Sequence, residues 1–182
     1  MTRGGGFFNM GAGLLVAAWA FAATPAAAAD PGQINCPVRN LGPGELARVT
    51  DIVRRQGDEP MPDFYASIDA CRQRLGWSEA EAEQALMFNL AEIGQREARR
   101  DLEGRGVDVA AIERALLADS AVIESARGRD AGDRLTEFFG RLDPAVRSSV
   151  ERHGGDGAEL VGTFLIFRAV METSRRDFSG RR

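Results

Sequence analysis

Apolar positions recur at helical spacing through most of the chain beyond residue 44. In residues 45–55, Leu46, Val49 and Val53 fall on one face. Pro60-Met61-Pro62 interrupts the pattern as a stiff link. Phe64, Ile68, Cys71 and Leu75 then repeat at i, i+4, i+7 and i+11, which puts Cys71 on a buried face. Ser78-x-x-Glu81 has the form of a capping box opening a helix with Ala82, Leu86, Leu90 and Ile93 inward. After Ile93 the chain turns polar (GQREARRDLEGRG), which predicts a second half standing in solvent until Gly104 or Gly106 ends the helix.

Asp108 reads as the cap of a helix with Val109, Ile112 and Leu116 inward, continuing or kinking near Asp119-Ser120 before Val122 and Ile123. Ala131, Leu135, Phe138 and Leu142 mark another face, and Asp143-Pro144 opens a short helix through Val146 and Val150. The last helix is expected from Asp156, with residues 161–171 (VGTFLIFRAVM) apolar on nearly every side. No alternating β-branched run is long enough for a strand. The expectation is therefore all-α: a compact bundle of six or seven helices in one domain, residues 44–174. An irregular lead-in (30–43) and a basic flexible tail (175–182) flank it.

The segment before this pattern has a different character. Residues 1–10 carry Arg3 and no acid, residues 11–23 are an apolar run, and Pro25 precedes Ala27-Ala28-Ala29. These are the three parts of a secretory signal peptide, with cleavage expected before Asp30. A bilayer span needs about 20 continuous apolar residues, and no cysteine follows the alanine box directly, so neither a stable membrane span in the mature chain nor a lipid anchor is expected. A periplasmic or secreted location follows. There, the even pair Cys36 and Cys71 reads as one disulfide rather than as metal ligands, since the chain has one histidine and no zinc spacing.

All 23 basic residues are arginine, against 27 acids, for a net charge of −4. Arginine binds carboxylate and phosphate bidentately, but here the arginines are interleaved with acids along the chain. The pattern therefore reads as a GC-rich coding bias rather than a binding surface, and nucleic acid is not an expected partner. Neither metal nor cofactor is expected.

Chemistry is thin. His153, beside Gly154-Gly155 at a helix end, has no nucleophile motif near it and reads as complementing the helix dipole. A glycan hydrolase would need a carboxylate pair with one raised pKa. Glu79, Glu81 and Glu83 sit in a first helical turn, leaving Glu92 as the weak catalytic candidate. The loop Gly154-Gly155-Asp156-Gly157 lacks the strand and lysine of a nucleotide loop and reads as a junction between two helices. Phe138, Phe139, Phe164 and Phe167 give a surplus of apolar surface, on a helix buried in the bundle's centre or one set against a partner.

Residues 87–117 (MFNLAEIGQREARRDLEGRGVDVAAIERALL) resemble the helix–"G-x-D-V"–helix stretch in the N-terminal dimerisation segment of periplasmic FKBP-type prolyl isomerases. The chain departs from that pattern by an extra helical turn after Gly94 and by lacking its Tyr-x-x-Gly. Nothing after the stretch resembles the β-rich isomerase domain, so the family's activity is not carried over. The expected function is contact with a protein partner or a second copy, as an accessory subunit, inhibitor or chaperone-like module of the cell envelope. An envelope glycan hydrolase and a carrier of a small apolar ligand are the alternatives.

Overall fold

The computed structural model describes residues 29–125, 128 and 130–180. The expected signal peptide lies outside these apart from Ala29. Among the described residues there are no strands, and nine α-helices follow one another: α1 (Cys36–Asn40), α2 (Pro43–Arg54), α3 (Pro62–Leu75), α4 (Glu79–Gly104), α5 (Val109–Leu117), α6 (Ser120–Ser125), α7 (Ala131–Arg141), α8 (Pro144–Glu151) and α9 (Gly154–Phe178). None is long and apolar enough to cross a membrane.

The elements start where the side chains supply missing partners. The Ser78 hydroxyl accepts from the backbone N–H of Glu81, and Glu81 Oε2 accepts from Ser78 N at 2.7 Å, closing the capping box. Asp108 and Asp143 cap α5 and α8 through the N–H groups of Ala111 and Ala145. Asp119 breaks α5 from α6 and accepts from Val122 N. Gly76, at φ +70°, ends α3 in the left-handed region that costs glycine nothing.

α4 and α9 form the axis. Their 26 and 25 residues each run about 38 Å at the usual rise, and they lie antiparallel. Trp77, just before α4, meets Phe178 at the end of α9; Gly94 faces Phe167 mid-helix; Arg105 at the end of α4 is bonded to His153 before α9. Three apolar clusters adjoin this axis. One joins Ala98 and Leu102 of α4 to Ile112, Leu116, Ile123, Phe138, Val150, Phe164 and Leu165. A second holds Ile34, Cys36, Cys71, Trp77, Phe88 and Phe178. The third sets Val49, Phe64 and Ile68 of α2 and α3 against Ala82 and Ile93.

Several expectations need correction. The all-α bundle itself is as expected, and its nine helices among the described residues exceed the six or seven read from the sequence because the 5-residue α1 and 6-residue α6 are too short to carry a periodic signal. The lead-in is not irregular throughout: it contains a 3₁₀ turn (Pro31–Gln33) and α1. The second half of α4 does not project free into solvent, since one face of it, with Gly94, Gln95, Ala98 and Leu102, is buried. Nor do residues 175–178 begin a frayed tail; α9 runs on to Phe178 and buries it. Cys36 and Cys71 are bridged as expected, joining α1 to α3 at a Cα–Cα distance of 6.1 Å.

Gly94 lets the Phe167 ring pack directly over the α4 backbone. A Cβ there would come within 2.5 Å of Phe167 Cζ. Gly94→Ala adds helix propensity worth about 0.5–1 kcal/mol but overpacks a filled site, at about 1–3 kcal/mol. The expected net result is a loss of about 1–2 kcal/mol, read as a lower urea midpoint with an unchanged m-value.

Candidate functional site

The chemistry-bearing side chains gather in a cleft of about 420 Å³ on one side of the α4–α9 pair. One wall is the segment Pro31, Gly32, Ile34, Asn35 and Arg39; α4 contributes Phe88, Glu92, Gln95 and Arg99; α5 contributes Glu113; α9 contributes Arg168, Met171 and Arg175. Helical spacing sets each contribution. Phe88, Glu92, Gln95 and Arg99 follow one another at i, i+4, i+7 and i+11, and Arg168, Met171 and Arg175 at i, i+3 and i+7, so each helix turns one polar strip toward the cleft.

Four arginines thus face two glutamates across the same space. Glu113 is shared: Arg99 Nη2 donates to its Oε2, and Arg168 Nε donates to its Oε1 at 2.7 Å. Burial pushes the Glu113 carboxyl up, but the hydrogen bonds and charges of Arg99 and Arg168 outweigh it and hold the group below its usual 4.5. The Arg99 guanidinium also lies 5.5 Å from the centroid of the Phe164 ring, which fixes its plane against the core. Arg168 reaches Glu172 at 3.5 Å. Arg39 and Arg175, by contrast, have no ion-pair or hydrogen-bond partner for their guanidinium groups among the described residues.

A carboxylate held low is a stability element with a definite pH window. Ionised Glu113 stabilises the fold above the ordinary carboxylate range, and the contribution is lost as pH falls through its lowered folded value. Glu113→Gln is therefore expected to flatten the decline in melting temperature between neutral pH and about pH 3 relative to the wild type, measured by thermal unfolding across that range.

The predicted residues are scattered by the fold. Glu92 does line the cleft, half-buried and paired with Arg96 at 2.9 Å. Glu81 is occupied by its capping box and by Ala29 N at 3.2 Å. His153 precedes α9 and pairs its Nε2 with Arg105 O at 2.9 Å, tying the end of α4 to the α8–α9 junction. Phe138 and Phe164, read as filling the bundle's centre or as candidates for a partner surface, are core residues because α7 and α9 turn them against α4 and α5. Phe139 is partly buried against the same cluster, and Phe167 is half-buried beside Gly94. Gln95, Arg99, Arg168, Arg175, Arg39 and Glu113 were not singled out from the sequence. Their only signal there is the polar strip on each separate helix.

Among the described residues, no group of three or more His, Cys, Asp and Glu side chains is placed to hold a metal ion. Comparison with protein-family models, with curated proteins and with solved structures finds no match to the chain.

Proposed function

We propose that the protein is an exported recognition module of the cell envelope, acting as an accessory or inhibitory subunit by non-covalent contact, and that it grips an anionic group of a protein partner in the arginine cleft. The observation that carries this reading is the pair Arg39 and Arg175: two guanidinium groups on α1 and α9, lining one cleft and without acid partners among the described residues. Arginine is favoured at protein interfaces because its planar fork meets a carboxylate through two parallel hydrogen bonds. The bridged cysteines support an oxidising compartment, as the alanine box at residues 27–29 supports export.

Two alternatives gain less. A glycan hydrolase needs one carboxyl group kept protonated near neutral pH, and Glu113, which shares the cleft with Glu92, is held the other way. A carrier of apolar ligands needs an apolar chamber, whereas this cleft is lined mainly by charged and amide side chains.

Affinity capture from periplasmic extract tests the proposal. A partner should be retained at low ionic strength and released as salt rises, since exposed charge contacts are screened. Retention should fall at least about tenfold in Arg39→Ala/Arg175→Ala, the loss of one charge-assisted hydrogen bond or more. A partner held equally by the double variant, or none captured at all, counts against the cleft.

A further inference from the structure

The arginines define only one end of what the cleft accepts, and an amide in its wall defines another. Gln95 stands one helical turn before Arg99 on α4 and lines the same cleft. The residue as a whole is only 7% exposed, and its amide, which has no hydrogen-bond partner among the described residues, opens onto the cleft. A primary amide offers two N–H donors and a carbonyl acceptor. Its full complement is a pair of groups that donate and accept side by side, as the main-chain N–H and C=O of one extended peptide residue do. A free carboxylate only accepts, and the hydroxyl donors of inorganic phosphate are set tetrahedrally rather than beside an acceptor in one plane.

The same wall repeats the demand. Asn35 Oδ1 and Glu92 Oε2 are buried acceptors without partners, and both residues line the cleft. The lining therefore combines cationic forks for an oxyanion with amide and acceptor groups for N–H donors. A peptide that bears a carboxylate carries both functions within one or two residues. The volume of about 420 Å³ lies toward the lower end of ligand-sized pockets, about 300–1,000 Å³, which suits a short segment rather than a folded surface.

We infer that the cleft receives an acidic peptide segment of its partner. A side-chain or terminal carboxylate lies between Arg39 and Arg175, and the main-chain N–H and C=O of one residue pair with the Gln95 amide. This assignment rests on the reading of the cleft as an anion site and specifies what else the occupant must present. Gln95 is then a specificity-determining residue: it separates peptides from simple anions.

Equilibrium dialysis of the full mature chain, read by mass spectrometry, separates the possibilities. Three probes are compared at low salt: N-acetylated tetrapeptides ending in two Asp or Glu residues, their C-terminally amidated Asn and Gln counterparts, and inorganic phosphate. The acidic peptides should be retained, and the neutral ones and phosphate should not. Gln95→Met, which keeps the size of the side chain, should lower retention of the acidic peptides about tenfold, the scale of one hydrogen bond to a buried polar group. Its circular dichroism and melting temperature report whether the fold is retained. If acidic peptides and phosphate bind equally and Gln95→Met binds like the wild type, the peptide assignment is overturned while the anion site stands. Equal retention of neutral peptides removes the role of the carboxylate. If no anion is retained, both the assignment and the cleft reading fail.

Discussion

Phe178→Ala is expected to remove about 3–5 kcal/mol of stability, the usual cost of emptying a buried aromatic site. For a chain of this size that lowers the melting temperature by about 10–15 °C. Phe178 is completely buried although it stands within the last helical turn. Its ring meets that of Trp77 edge to face at 5.1 Å, a geometry that adds about 0.5–1.5 kcal/mol to burial. It also closes the cluster built on Ile34, Cys36, Cys71 and Phe88. A frayed tail predicts almost no effect from the same change. Thermal unfolding of the variant decides between them, and a shift under about 2 °C would mean that Phe178 does not seal the cluster.

Replacing both cysteines, as Cys36→Ala/Cys71→Ala, is expected to cost about 3–4 kcal/mol from the loop that the bridge closes. The closed loop spans a sequence separation of 35 residues. Two other ties hold the same segment: Ser67 Oγ donates to Pro37 O at 2.7 Å, and Asn89 Nδ2 donates to Ile34 O at 2.8 Å. Residues 34–40 should therefore stay docked but open more often. Hydrogen exchange over α1 should accelerate by more than exchange in the middle of α4. Because Asn35 and Arg39 belong to the cleft, binding at the cleft should weaken in the same variant. Equal acceleration everywhere would mean that the bridge acts only on global stability.

Much of the fold is legible in the residue pattern because helix starts and apolar faces are local. The Ser78–Glu81 capping box, the Asp143-Pro144 start and the Cys36–Cys71 bridge can all be read without knowing what packs where. The misreadings concern long-range pairing. The second half of α4 is polar by composition, yet Ala98, Leu102 and Gly94 suffice as a seam once α9 lies against them. Phe178 sits among charged residues (RRDFSG) and its burial depends on Trp77, a hundred residues earlier. Phe138 and Phe164 were read as surplus because the helices that cover them cannot be counted from their own sequence. The cleft was invisible for the same reason. Its four arginines come from α1, α4 and α9, and scattering along the chain hides convergence in space.

The meeting of Trp77 with Phe178 also sets an order of events in biosynthesis. The second cluster, which contains both cysteines, lacks its closing ring until residue 178 has been made. α4 likewise lacks its main partner until α9 follows. The N-terminal half is thus held short of its final packing while the rest of the chain is added. Closure of the disulfide-bearing region then coincides with the docking of the last helix on α4.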